Sequence, residues 1–301
     1  MYIRKKILFL LPLIFSLSVL SSDIEEIIVK GEYREKSLGE EDSSIVIIQS
    51  EQIKSQAIKH FQQLSHLVPN LNYAASDSRA RYFQIRGIGE RSGYQGTPNS
   101  SVGFLIDDID YSGQGGIATL FDVDQVEVFR GPQGSRSGAN ALAGLIYIKT
   151  KDPTEKFEGT SELTLGDYGT QNIGIAFGGP MQNKKLKYRL VLRTDYADGF
   201  RKNTYLNKSD TSKKDELTLR YKLNWELNET TNLDFLVSKV DMDDPADIWT
   251  IDGSLNTLSD RPGMDSQNTN SYGIKITKDF SNFIVQSLTS ATKTDVIFSY
   301  D

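Results

Sequence analysis

The chain has 301 residues, room for one large or two ordinary domains, with 38% hydrophobic and 25% charged residues. It contains no cysteine, which removes disulfides and thiolate metal sites. A formal charge of −6 argues against nucleic acid as a partner, because phosphate binding needs a basic face.

Residues 1–22 read as a secretory signal peptide. Arg4, Lys5 and Lys6 form a basic start, Ile7–Leu20 is apolar, and small serines follow at Ser21 and Ser22. The apolar run is shorter than the roughly 20 residues a spanning helix needs, and no later stretch reaches that length. A membrane protein with this sequence must cross as strands. Asp23–Asp42 reads as a polar, flexible tail. Within it, Glu25-Glu26-Ile27-Ile28-Val29-Lys30-Gly31 is a short β-branched run. Such a run can add itself as a strand to a partner's sheet edge, or it can open the next domain.

From 43 to 153 the pattern is a mixed helix and strand domain. Ile45–Ile48 reads as a buried strand, and Ser50 as the N-cap of a helix over Glu51–Ile58. A second helical stretch, Lys59–Leu67, stops before Pro69. Extended segments follow at Leu71–Ala74, Tyr82–Gly87 and Val102–Ile109. Val126–Phe129 then breaks into Arg130-Gly131-Pro132-Gln133-Gly134, turn chemistry in which glycine supplies unusual dihedrals and proline fixes one. The stretch closes on Leu145-Ile146-Tyr147-Ile148. Three glycine-rich or polar loops lie between: Ala75–Arg81, Gly89–Ser101 and Tyr111–Ile117. His60 and His66 are the only histidines, and their spacing does not put both on one helix face, so they read as surface or packing residues. No dinucleotide fingerprint, GxSxG, HExxH or complete P-loop occurs, and no catalytic or metal-binding constellation emerges.

After Phe157 long alternating strands take over. Leu186, Tyr188, Leu190 and Leu192 share one face, with Lys187, Arg189 and Arg193 opposite. Leu217, Leu219, Tyr221, Leu223, Trp225 and Leu227 oppose Arg220 and Lys222 in the same way. Lipid outside and water inside a transmembrane barrel produce this pattern, as does a soluble sandwich with one wet face. About seven strands are expected, at 158–165, 170–178, 186–197, 215–227, 231–241, 270–279 and 283–298. The acidic run Met242–Asp247 falls in the last long connection and reads as a solvated loop, since Pro245 spoils a calcium-loop spacing.

Four motifs carry a resemblance: QLSHLVPNL, IRGIG, VGFLIDDIDY, and VEVFRGPQGSRSGANALAGLIYIKTKDP. In this order they resemble the plug domain of TonB-dependent outer-membrane receptors. Ser135-Arg136-Ser137 departs from the family pattern, where a bulkier or aromatic turn is common. The resemblance implies an α+β plug domain followed by antiparallel transmembrane β-barrel strands. The family's barrel has about 22 strands, so this chain would be the N-terminal portion of a longer receptor. It further implies that Glu25–Gly31 is the TonB box, handed to the periplasmic TonB energy transducer. Arg86 and Arg130 would face barrel glutamates as a plug–barrel lock. Tyr94, Tyr111, Arg79, Arg81 and Arg91 would line the outer loops that meet a scarce, large solute, most often a ferric siderophore, with no cofactor. Outer-membrane lipid would surround the strands. A truncated remnant and a secreted soluble binding module with a β domain are the other readings.

Overall fold

The computed structural model describes residues 26–34, 36–75, 79–92, 99–182, 184–250 and 252–301. The expected signal segment 1–22, Glu25 and Tyr94 lie outside them. The chain starts with two short paired strands, β1 (Ile28–Val29) and β2 (Lys36–Ser37). β3 (Ile45–Gln49) leads into α1 (Ser50–Ser55). Ser50 is thus the first helical residue rather than the cap, and left-handed Ala57 ends the turn short of Ile58. The second helical stretch is a 3₁₀ helix over Phe61–Leu67. His60 caps it, accepting from Gln62 N–H, while His60 N–H donates to Gln63 Oε1 at 3.1 Å.

β4 (Leu71–Ala74) and β5 (Tyr82–Ile85) form a hairpin, then β6 (Val102–Ile106) and β7 (Ile109–Asp110) a tighter one. The latter turns through Asp107 and Asp108, both at positive φ (48° and 71°), a conformation Asp tolerates better than most residues. β8 (Val123–Phe129) and β9 (Gly144–Thr150) complete a sheet of order β3-β8-β9-β6-β7, with β6 and β9 parallel.

Both faces of this sheet are covered, and side-chain alternation divides them. Val126, Val128, Ile146 and Ile148 face a core with Ile48, Ile53, Leu64 and the aromatic cluster Phe61, Phe83 and Phe104, whose ring centroids lie 5.0–5.5 Å apart. Phe129, Leu145 and Tyr147 face the other way, against Val29.

The remaining chain is a second sheet, the wall: β10 (Glu158–Leu165), β11 (Gln171–Pro180), β12 (Leu186–Ala197), β14 (Lys214–Asn228), β15 (Thr231–Ala246), β17 (Gly263–Asp279) and β18 (Ile284–Ser299), each antiparallel to the next. It is an open arc. Register puts Phe177, Leu190, Tyr221 and Val237 side by side on the outer face. Arg189, Arg193, Arg220 and Lys222 project to the other face and are buried.

Two boundaries differ from the sequence reading. β15 runs on to Ala246 and β17 begins at Gly263, so the acidic run is strand, not loop. The outer face turns polar there (Lys239, Asp241, Asp243) while the backbone ladder continues, and apolar alternation no longer marks it. The connections flanking these strands are joined by the parallel pair β13 (Lys202–Asn203) and β16 (Asn256–Thr257). Asp247 pins that junction, accepting from Asn203 Nδ2 (2.9 Å), Thr257 Oγ1 (2.8 Å) and Ser259 Oγ (2.6 Å).

Candidate functional site

The N-terminal segment is docked on the plug's second face. β2 takes one edge of β1, and Leu38 N–H donates to Ile27 O at 2.8 Å. The plug takes the other edge through side chains. Glu127 accepts Lys30 N–H at 2.6 Å and Gly31 N–H at 2.9 Å. Gln125 Nε2 donates to Ile28 O at 2.9 Å, and Arg136 Nε to Gly31 O at 2.7 Å. Val29 is wholly buried beneath, and Lys30 Nζ meets Asp124. Gly31 is required for this approach: a Cβ there would stand 2.7 Å from the Phe129 ring and 2.8 Å from Glu127 Oε2. Burial pushes the Glu127 carboxyl above its usual range, against the pull of these donors.

A second set of contacts fixes the plug against the wall. Arg79 Nε and NH2 reach Glu216 Oε1 and Oε2 at 2.7 and 2.8 Å, a bidentate pair across the boundary. Arg81 pairs with Asp265. In the opposite sense, wall Arg189 holds plug Asp122 at 2.6 and 2.5 Å. Wall Lys222 reaches Asp107 at 2.9 Å, and wall Lys275 reaches Asp108 at 3.4 Å. The charged inner face expected to meet water therefore meets the plug along these pairs. Apolar contact adds to it where Phe121 packs on Ala176 and Val191.

The residues expected from sequence are distributed differently from the reading. Arg86 is exposed at positive φ (53°), its N–H donating to Asn70 O. Arg130 is half-buried, its N–H donating to Ser44 O. Neither forms an ion pair among the described residues; the plug arginines that pair with the wall are Arg79 and Arg81, expected from the sequence as ligand contacts. No carboxylate of the seven described wall strands meets Arg86 or Arg130, and those seven are only part of the roughly 22 strands expected of the barrel. Tyr111 is 2% exposed and lines a small cavity with Thr218, Arg220 and Ser238 of the wall; burial pushes its phenol up to about 12. Arg91 is exposed on its loop. Buried His60 sits beside Arg79, its Nε2 2.9 Å from Gly116 O; burial, then the nearby guanidinium, push its pKa down to about 3.

Sequence reasoning missed Glu127, Arg136, the Asp107–Asp108 turn and the wall carboxylates Glu216 and Asp265. A carboxylate inside the central strand VEVF was the available sign for Glu127. Nothing in the described site offers a nucleophile with a base, and no cluster of metal-binding side chains occurs among the described residues.

The family model of the TonB-dependent receptor plug domain matches residues 37–145. The pesticin receptor of Yersinia pestis is 24% identical over 192 residues, covering 63% of this chain and 28% of that receptor. A vitamin B12 transporter of Vibrio vulnificus is 25% identical, covering 48% of this chain and 26% of its own length. The chain thus spans about a quarter of the length of these curated relatives. The crystal structure of the ferric yersiniabactin uptake receptor of Yersinia pestis superimposes with a TM-score of 0.76 at 18% identity, over 86% of this chain and 42% of that one.

Proposed function

We propose that the chain, whose residues 37–145 match the plug-domain model of the TonB-dependent receptors, is part of an energy-driven outer-membrane receptor for an iron–siderophore complex or a similar scarce, large solute. One observation carries this reading. A folded plug sits on the charged inner face of lipid-type strands, and a short extended segment is docked by its backbone at one end of that plug. Solute would meet the outer loops, with Tyr94 and Arg91 as contacts, while Arg79, Arg81 and Tyr111 hold the loops to the wall. Residues 25–31 would serve as the box gripped by the periplasmic TonB transducer, through strand addition. One of the similar structures is a ferric yersiniabactin uptake receptor, which supports a siderophore as the solute class.

The test is uptake of radio-iron carried by a panel of siderophores, in iron-starved cells with and without the transducer. Uptake of one siderophore that needs both this protein and the transducer is expected. Uptake that is unchanged without the transducer would overturn the reading.

A further inference from the structure

We propose that Arg136 is a clamp that closes the N-terminal segment against the plug, with Glu127 as the opposing jaw, and keeps it from pairing with a partner strand. This rests on reading residues 25–31 as the strand offered to a partner. Arg136 lies in the one-turn helix Gly134–Ser137 that follows β8, and its guanidinium does several things at once. Nε donates to Gly31 O at 2.7 Å, and NH2 pairs with Asp108. The group lies 4.5 Å from the centre of the Tyr33 ring and 5.9 Å from that of Tyr147. Tyr33 returns the contact, its hydroxyl donating to Arg136 O at 3.2 Å.

Strand addition needs free backbone donors and acceptors along one edge. In the docked segment much of both edges is already taken. Ile27 O, Ile28 O, Lys30 N, Gly31 N and Gly31 O are all bonded, to Leu38, Gln125, Glu127 twice and Arg136. A partner strand therefore competes with the plug for these groups, and opening the clamp releases Gly31 O to it. Asp108 is also the carboxylate that meets Lys275 of β17, so the clamp shares its counter-ion with the wall. A shift of β17 that draws Asp108 towards Lys275 would weaken the hold of Arg136 on residue 31.

Val29→Cys places a thiol that is buried when the segment is docked, and the protein without that change supplies the background rate. The maleimide labelling rate of this thiol would be measured on the full-length protein in outer-membrane vesicles. Arg136→Ala is expected to raise that rate about tenfold, the loss of one charge-assisted hydrogen bond, with Arg136→Lys in between. An unchanged rate overturns the clamp. If Arg136→Ala opens the whole plug, read as labelling of Ile146→Cys in the core, then Tyr33→Ala decides. That variant removes the ring from outside the plug and should still raise Val29→Cys labelling, and no rise overturns the clamp. Binding of the purified transducer domain is a separate readout: its absence in every variant strikes the reading of the segment, while labelling still decides the clamp.

Discussion

Arg79 and Glu216 join plug and wall through two parallel hydrogen bonds of 2.7 and 2.8 Å, with both side chains largely buried. The arginine comes from a loop of the plug and the glutamate from the inner face of β14. Planar guanidinium and carboxylate match in this geometry, so the pair fixes orientation as well as distance. Removing Arg79 takes the bidentate partner from buried Glu216 and leaves it only the more distant Lys214, 3.7 Å away, a loss of up to about 3–5 kcal/mol. Arg79→Ala should therefore lower the unfolding midpoint of the purified protein clearly. The double change Arg79→Met with Glu216→Leu should recover much of the loss, since it leaves no unpaired charge.

Plug seating also depends on a missing side chain. Gly174 on β11 faces Phe121, and a Cβ there would come within 2.7–2.9 Å of the ring. Gly174→Val should push Phe121 off Ala176 and Val191, destabilise the contact by roughly 1–3 kcal/mol, and let small solutes leak past the plug. Liposome swelling measures the leak, and swelling equal to wild type would refute the role of this contact.

His60 gives a pH dependence with a definite sign. Its folded pKa is pushed down to about 3 from the ordinary 6.5, so the unfolded chain binds the extra proton first. Its contribution is full above pH 6.5 and is lost as pH falls towards 3. Denaturant midpoints taken between pH 7 and pH 4 should fall more steeply for wild type than for His60→Gln.

The fold was largely legible because its periods are physical. Period-two alternation marked Leu186–Leu192 and Leu217–Leu227, where one face is apolar and the other charged, and glycine with proline marked the turn after Phe129. It failed where the outer face turns polar, as at Asp243–Ala246, which continue a strand. The locking arginines were not legible. Arg79 and Arg81 lie in an aperiodic loop, and their partners Glu216 and Asp265 are 137 and 184 residues away. Tyr111, beside a glycine-rich loop, looks like a surface aromatic, but the β6–β7 hairpin turns it into the wall. Glu127 was visible as an acid in an apolar strand, yet only the docked segment shows what it is for.

Deleting residues 25–31 tests the central claim most directly. Binding of the ferric siderophore at the cell surface should be retained, because the outer loops and the plug–wall pairs are untouched, while energy-driven uptake should be lost. Uptake at the wild-type rate by the deletion variant would contradict the account.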